Sequence, residues 1–300
     1  MRILLQFPEG LKHEALAHAA KLEKEGHDVF ISASPCYGAC DIAVDEARRI
    51  GADKIIHFGH SKFIELKEVP VEYVEHFVKV DFRPVLEKAV AELRGAKTIA
   101  LATTVQHAKQ LAGIKRFLER RGKIVLIGKG RLTSYPGQVL GCDDSAVSSV
   151  LEKADAILFF GGGAFHPLGI KAGGKPLIAC DPFSNTVRRL NAELARLERK
   201  RRAMFSKASE AKTFGILVST KPGQYNMGIA VKVKEALERA GRKAAILVAD
   251  EINFLSLENF RSFDCYVNTA CPRLWEDYEL AKKPILNAQD ALELAALLKR

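Results

Sequence analysis

The feature that most constrains this fold is a strand–helix–strand pattern that begins three times along the chain. Each copy starts with a short aliphatic strand, continues through an amphipathic helix and ends that helix at a glycine followed by His, Lys or Arg. These pairs are Gly26-His27, Gly122-Lys123 and Gly241-Arg242, and they recur after 96 and 119 residues, the differences between their positions. Repeats of this length indicate duplicated domains rather than the short units of a solenoid.

Alternating strands and helices are typical of parallel sheets flanked by helices. We therefore expect an α/β protein of three related small domains arranged around a central site. The predicted domains are residues 1–94, 95–209 and 210–300. A linker helix predicted over about residues 185–209 explains the longer second interval. In the first copy a helix is predicted over about residues 12–25, with Leu16, Ala19 and Leu22 on its apolar face.

Charge and hydropathy limit the class of protein. With 46 basic and 36 acidic residues the net charge is +10, which favours an acidic partner without identifying it. The basic stretch Arg196–Arg202 contains no aromatic residue that could stack on bases, so we interpret it as a solvated helix face and do not expect direct nucleic-acid binding. No apolar run approaches the ~20 residues that span a bilayer. The first ten residues enter a strand without a signal-peptide core, so a cytoplasmic protein without membrane association is expected.

The six cysteines are widely spaced, which does not predict a disulfide framework. Cys180 and Cys265 lie in or beside apolar strands and are expected to be buried. The others lie in loops: Cys36 and Cys40 in the first copy, Cys142 in the second and Cys271 in the third. Ligands collect beyond the carboxyl ends of parallel strands, so these thiols are candidates for metal ligation, catalysis or burial. Three converging thiolates could hold three irons of a 4Fe–4S cluster and leave the fourth open.

The spacing of Cys36 and Cys40 matches the start of the compact radical S-adenosylmethionine (SAM) motif. The third cysteine of that motif would fall at position 43, which is Ala43. The standard compact motif is therefore absent.

Three motifs, taken together and in order, carry a family resemblance that covers essentially the whole chain. They are Pro35-Cys36-Tyr37-Gly38-Ala39-Cys40-Asp41, Gly137-Gln138-Val139-Leu140-Gly141-Cys142 and Cys271-Pro272-Arg273-Leu274. The sequence resembles the archaeal enzyme of the first step of diphthamide biosynthesis. The run Lys221-Pro222-Gly223-Gln224-Tyr225 fits a further loop of that family.

The resemblance implies a homodimeric enzyme with one 4Fe–4S cluster per subunit, held by one cysteine from each domain. By position these ligands are Cys40, Cys142 and Cys271, with Cys36 as an extra nearby thiol. The resemblance further implies cleavage of the Cγ–S bond of SAM, after reduction by an external electron donor, to give a 3-amino-3-carboxypropyl radical. That radical would add to C2 of a histidine ring on translation elongation factor 2.

Binding SAM would require polar groups from the loops of all three copies. Arg273, two residues beyond a predicted ligand, could meet the methionyl carboxylate through two parallel hydrogen bonds. The full set of candidates is Gln6, His60, Ser61, Gln106, His107, Gln138, His166, Gln224 and Arg273. No catalytic residue beyond the cluster is predicted.

Two other functions remain open at this point. A quinolinate synthase-like enzyme would use a three-cysteine 4Fe–4S cluster as a Lewis acid on a small dicarboxylate. A basic RNA- or ribosome-binding module would fit the pI of about 9.3 but would leave the loop thiols unexplained.

Overall fold

The three copies of the sequence pattern correspond to three β-sheets in the computed structural model, which describes residues 1–299 without the side chains of residues 278 and 279. The chain divides into two compact units, Met1–Ala192 and Glu193–Arg300. The first unit contains two of the sheets and the second unit contains one. The α/β class is confirmed, and the domain borders after residues 94 and 209 stay predictions.

The first sheet consists of four parallel strands in the order β2-β1-β3-β4. Its elements are β1 (Arg2–Gln6), α1 (Ala15–Lys24), β2 (Asp28–Ile31), α2 (Val44–Arg49), β3 (Lys54–Phe58) and β4 (Val71–Val74). Successive side chains of a strand point to opposite faces, so Leu5 packs with Ala15 and Ala19 of α1, whereas Leu4 packs with Ala47 of α2. Helices therefore cover both faces of the sheet, as a parallel sheet requires.

The predicted first helix is present, but it begins later than predicted, and Leu16 does not lie on its buried face. Residues Glu9–Glu14 form a 3₁₀ turn, and the α-helix begins only at Ala15. This start places Ala15, Ala19 and Leu22 toward the core at the spacing of one helix face. Leu16 lies about 100° around the helix from Ala15 and is 77% exposed.

The second sheet has the order β6-β5-β7-β8-β9, in which only the last pair is antiparallel. Its elements are α3 (Arg83–Glu92), β5 (Thr98–Thr103), α4 (Leu111–Glu119), β6 (Ile124–Leu126), α5 (Ser145–Ser148), β7 (Ala156–Phe160), α6 (Phe165–Leu168), β8 (Leu177–Asp181) and β9 (Thr186–Arg189). Every residue of β7 is buried, which fits its position in the middle of the sheet.

The third sheet, in the second unit, is fully parallel with the order β11-β10-β12-β13. Its elements are α7 (Asn191–Ser209), β10 (Thr213–Ser219), α8 (Met227–Arg239), β11 (Lys243–Ala249), α9 (Phe254–Leu257), β12 (Cys265–Asn268), α10 (Tyr278–Ala281), β13 (Ile285–Asn287) and α11 (Ala288–Leu297). Its core combines residues of β10 and α8 with Met204 and Ala208 of α7. The first four strands of all three sheets thus share one order, with the second strand at one edge and the first beside it.

The linker helix was predicted to start near residue 185, and this is wrong. Asn185 has a φ of 53°, in the left-handed region that does not continue a right-handed helix. The Asp181 carboxylate accepts hydrogen bonds from the backbone N–H groups of Phe183 and Ser184, which closes a hairpin turn between β8 and β9. Helix α7 therefore begins only at Asn191.

The three predicted glycine helix stops are confirmed, and all three have the same backbone conformation and hydrogen bonds. Gly26, Gly122 and Gly241 have φ values of 82°, 77° and 75°. Each glycine N–H donates to the carbonyl of a glutamate three residues earlier, and the next N–H donates to a leucine carbonyl five residues earlier. The two distances are 3.0 and 3.2 Å at Gly26, 2.9 and 3.2 Å at Gly122, and 2.9 and 3.0 Å at Gly241. This pattern is the Schellman motif, which requires a residue that tolerates positive φ.

Candidate functional site

Gln6, at the carboxyl end of β1, organises the loop that carries Cys36 and Cys40. Its side chain is buried; its Nε2 donates to the carbonyl of Asp41 at 2.6 Å and its Oε1 accepts from the backbone N–H of Ala43 at 3.2 Å. Because both amide atoms bind backbone groups, the side chain fixes the loop directly after Cys40. Gln6 was predicted as a SAM contact, and in the structure it supports the thiol loop.

A second group of polar side chains meets beside Gln6. His57 Nδ1 lies 2.9 Å from Gln6 Oε1, and His57 Nε2 lies 2.9 Å from His60 Nδ1. The Sγ atom of Cys36 completes a triplet in which the three potential ligand atoms lie within 4.8 Å of one another. We call these residues, Cys36, His57 and His60, the Cys-His-His triplet.

Both imidazoles of this triplet are neutral at pH 7. Burial, with a smaller contribution from the neighbouring His60, lowers the pKa of His57 to about 3. Burial likewise lowers the pKa of His60 to about 4. Desolvation disfavours the charged form of a histidine, so each ring keeps an unprotonated nitrogen that can accept a proton or bind a metal. His57 was not predicted, since it lies inside an apolar strand.

The six cysteines fall into two classes by environment. Cys180 in β8 and Cys265 in β12 are fully buried, as predicted. Burial raises the pKa of the Cys180 thiol to about 12 and raises the pKa of Cys265 as well. Both thiols are therefore protonated in the metal-free chain, and both lie within strands rather than in the loops that follow them.

The loop cysteines differ in exposure. Cys142 is exposed, Cys40 and Cys271 are half-buried, and Cys36 is buried. Burial raises the pKa of the Cys271 thiol, while backbone N–H groups and the nearby Arg273 act to lower it. Each copy thus has one loop thiol that is not fully buried, and cysteine thiolates are the usual protein ligands of iron–sulfur clusters.

The loop before Cys142 is held against β5. The N–H of Thr103 donates to the carbonyl of Gly137, and the N–H of Val139 donates to the carbonyl of Thr103, both at 2.8 Å. Gln138 Nε2 donates to Ser61 Oγ at 2.9 Å, which joins this loop to the segment after β3. The structure thus brings together Gln138 and Ser61, two of the predicted SAM contacts, as partners of each other.

The remaining candidates in the first unit are Gln106, His107 and His166. His107 is buried between the rings of Phe160 and Phe183, with centroid distances of 5.1 and 5.6 Å, and burial lowers its pKa. The neighbouring Gln106 accepts a hydrogen bond at its backbone carbonyl from Val78. His166 is half-buried in α6.

In the second unit, Asn268 and Asn287 hold the loop around Cys271. Asn268 Nδ2 donates to the Cys271 carbonyl at 2.7 Å and to Asn287 Oδ1 at 2.8 Å. Asn287 Nδ2 donates to the carbonyl of Pro272 at 3.0 Å. These asparagines lie at the ends of β12 and β13, and neither was predicted. The signal that could have indicated Asn268 is a polar residue that ends an apolar strand three positions before a loop cysteine.

Arg273 is buried and already pairs with a carboxylate. Its Nη2 donates to Glu276 Oε2 at 2.7 Å, and its Nε donates to the other oxygen of the same carboxylate. The guanidinium thus makes a two-bond contact with Glu276, and its predicted contact with the SAM carboxylate stays a prediction. Gln224 lies in the turn after β10, where its N–H donates to the Lys221 carbonyl at 2.9 Å.

Comparison with known proteins gives a consistent result over nearly the whole chain. Residues 7–299 match the family described as "Putative diphthamide synthesis protein". The chain is 40% identical to 2-(3-amino-3-carboxypropyl)histidine synthase of Pyrococcus horikoshii, over 99% of this chain and 86% of that protein. It is 30% identical to subunit 1 of the synthase of Aspergillus fumigatus, over 97% of this chain and 66% of that subunit.

Among solved structures, the chain is similar to Dph2 from Pyrococcus horikoshii with a 4Fe–4S cluster. The TM-score is 0.90 at 39% identity, over 99% of this chain and 86% of that one. None of the described helices combines the length and the apolar composition of a membrane span.

Proposed function

This chain belongs to the diphthamide synthesis family, and we propose from that membership that it is a 2-(3-amino-3-carboxypropyl)histidine synthase. In this proposal it transfers the 3-amino-3-carboxypropyl group of SAM to C2 of a histidine ring on translation elongation factor 2. The observation that carries the proposal is the match to the Pyrococcus synthase over 99% of this chain.

The proposed iron ligands are Cys40, Cys142 and Cys271. Their support is the one accessible loop thiol in each copy of the repeat, and the contrast with the deeply buried Cys180 and Cys265. When bound, a 4Fe–4S cluster with an open iron supplies the electron for reductive cleavage of the Cγ–S bond of SAM.

The chain's own residues then have two kinds of task in this reaction. Gln6 and Asn268 hold the loops of Cys40 and Cys271 through bonds to backbone carbonyls, which keeps the thiols in place. The predicted SAM contacts remain proposals, and the best supported is Arg273. Its guanidinium can bind the methionyl carboxylate if Glu276 releases one or both nitrogens.

We further propose a homodimer, an external electron donor and a cytoplasmic location, as the family resemblance implies. Neither a dicarboxylate-activating enzyme nor an RNA-binding module is favoured by a particular contact in the described residues.

The test is anaerobic incubation of the purified protein with a strong reductant and SAM, without elongation factor. Cleavage at the Cγ–S bond yields 5′-methylthioadenosine, which is the expected product. Formation of 5′-deoxyadenosine, or no cleavage by a protein with its full iron content, would contradict the proposal.

The ligand assignment needs its own measurement, which is iron per chain after anaerobic purification. About four irons are expected for the parent protein. Alanine in place of Cys40, Cys142 or Cys271 is expected to lower the iron content or make the cluster labile. Cys36→Ala is the matched control in the same loop as Cys40, and it is expected to keep the iron. Full iron and full activity in Cys142→Ala would remove that residue from the ligand set.

A further inference from the structure

The Cys-His-His triplet contains three metal-binding side chains that the proposed cluster does not use. Cys36 comes from the loop after β2, His57 from β3 and His60 from the turn after β3, and all three potential ligand atoms lie within 4.8 Å of one another. Cys36 and His57 are buried and His60 is half-buried, so the triplet lies below the protein surface rather than on it.

The hydrogen bonds of Gln6 determine which nitrogen of His57 is available. Gln6 Nε2 must be the donor to the Asp41 carbonyl, so Gln6 Oε1 is an acceptor and His57 Nδ1 carries the proton between them. His57 Nε2 therefore presents its lone pair toward His60 Nδ1, 2.9 Å away. A metal-ligating histidine usually donates its other N–H to an oxygen acceptor in this way.

The turn that places His60 depends on a glycine. Gly59 has a φ of 88°, and a Cβ atom built there would lie 2.8 Å from Pro8 Cγ. Only glycine is compatible with both the positive φ and the close approach of Pro8. The turn brings His60 back toward His57, three residues earlier, so the conformation of the backbone places the two imidazoles next to each other.

The donor set selects the class of metal. One thiolate and two imidazoles suit Zn²⁺, whereas Mg²⁺ and Ca²⁺ prefer oxygen ligands. Zinc bond lengths of about 2.0–2.3 Å in a tetrahedral site require ligand atoms about 3.5 Å apart. The two imidazole nitrogens would have to separate slightly, and the sulfur would have to approach by at most about 1.3 Å from the 4.8 Å limit. A change of the Cys36 side-chain torsion could supply this movement.

We propose that Cys36, His57 and His60 bind one Zn²⁺ ion per chain, separately from the proposed iron ligands. Binding releases the Cys36 thiol proton, and the proton between the two imidazoles moves to His60 Nε2, so that both facing nitrogens bind the metal. The ion would join the Cys36 loop to the end of β3. Since Cys40 lies four residues after Cys36, the zinc would stabilise the segment that carries a proposed iron ligand.

The experiment uses the full chain with Cys40, Cys142 and Cys271 replaced by serine, so that iron–sulfur assembly does not interfere. This variant is freed of metal with a chelator and titrated with Zn²⁺ against a chromophoric competitor. One Zn²⁺ per chain is expected, and either Cys36→Ser or His60→Gln is expected to weaken its binding by at least ~100-fold. His107→Gln removes a buried imidazole outside the triplet and is the matched control, with unchanged zinc affinity expected.

Co²⁺ provides a second measurement that needs no further variant. A thiolate-to-Co²⁺ charge-transfer band should develop in the serine-substituted chain. Absence of this band, or equal zinc affinity in the folded Cys36→Ser variant, would overturn the proposal. In the unsubstituted protein, Cys36→Ala should lose zinc and keep iron, so failure here is distinguishable from failure of the proposed synthase activity.

Discussion

At the scale of single residues, the ion pair between Arg273 and Glu276 affects how strongly Arg273 can bind the carboxylate of a ligand. Two guanidinium nitrogens already donate to the Glu276 carboxylate. A second carboxylate must displace Glu276 or share the guanidinium with it. Glu276 therefore competes with the proposed substrate contact.

The first prediction concerns this competition. Arg273→Ala is expected to weaken SAM binding or turnover by about 30- to 150-fold, since a charge-assisted bidentate contact contributes roughly 2–3 kcal/mol. Arg273→Lys is expected to recover only part of this loss because lysine lacks the planar fork. Glu276→Gln should lower the KM for SAM by about 5-fold, corresponding to about 1 kcal/mol. The measurement is steady-state formation of 5′-methylthioadenosine, and wild-type kinetics in Arg273→Ala would return this arginine to a structural ion pair.

The second prediction concerns acid stability of the metal-free protein. The pKa values of His57 and His60 are lowered from 6.5 to about 3 and about 4, so between pH 6.5 and 4 the unfolded chain binds protons that the folded chain does not. The free energy of unfolding should therefore fall as the pH falls through this window, by up to about 1.4 kcal/mol per pH unit for each histidine. His60→Gln should reduce this slope, measured by urea unfolding with a chelator present. The exposed His13→Gln is the control, and equal slopes in all three proteins would contradict the prediction.

Which individual residues could be predicted depended on how far away their partners lie. The loop cysteines are visible in the sequence because each lies in a loop near a strand of its copy. His57 is hidden, because it occupies an apolar strand and its partner Gln6 is 51 residues away. Asn287 likewise supports a loop 15 residues earlier, through a contact that no local pattern indicates.

At the scale of elements, local turn chemistry was predictable and strand pairing at the sheet edges was not. The three glycine stops were correctly identified because positive φ and the Schellman bonds are properties of a few consecutive residues. The β8–β9 hairpin was mistaken for the start of α7, since β9 is stabilised by antiparallel pairing with β8 rather than by its own composition.

The third prediction compares two glycines with similar backbone angles. Gly137 has a φ of 73°, and an added Cβ would lie 2.6 Å from Leu111 Cδ1 and 3.2 Å from the Leu101 carbonyl oxygen. Gly122 has a φ of 77° with no atom within 4 Å of an added Cβ. Gly122→Ala is expected to cost about 1 kcal/mol from backbone strain alone, whereas Gly137→Ala should cost about 3 kcal/mol because it adds a clash.

Urea unfolding measures this difference, and iron content reports its effect on the Cys142 loop. The Gly137 carbonyl accepts the hydrogen bond from Thr103, so a shift there displaces Gln138 and the residues leading to Cys142. Gly137→Ala should therefore hold less iron than Gly122→Ala. Equal losses of stability in the two variants would show that the close contact with Leu111 contributes nothing.

At the scale of the whole molecule, the repeated sequence pattern predicted three sheets and the structure contains three sheets of matching strand order. Each sheet has its own cluster of buried apolar side chains, and in the second unit this cluster combines residues of β10, α8 and α7. The division into two compact units could not be predicted, because the first two copies look as separable in the sequence as the last two.

The fourth prediction follows from the separate apolar core of each sheet. Air exposure of the anaerobically purified protein should bleach its iron–sulfur absorbance and abolish SAM cleavage, since an open iron is accessible to oxygen. Far-ultraviolet circular dichroism should stay unchanged, because each sheet is stabilised by its own core. Unchanged activity after prolonged aeration would exclude an iron–sulfur mechanism, and loss of the circular dichroism signal would show that the fold depends on the cluster.

The division of the chain into two compact units also has a consequence for the nascent chain on the ribosome. At about 5–20 residues per second, translation of the last 108 residues, 193–300, takes about 5–20 s after residue 192 has been added. When this interval begins, Cys40 and Cys142 have been synthesised, whereas Cys271 is added only after a further 79 residues (271 − 192). The Cys-His-His triplet, in contrast, is complete. In the zinc proposal, the ion can therefore bind while translation continues, whereas a cluster held by the proposed ligand Cys271 is assembled only after that residue has been made.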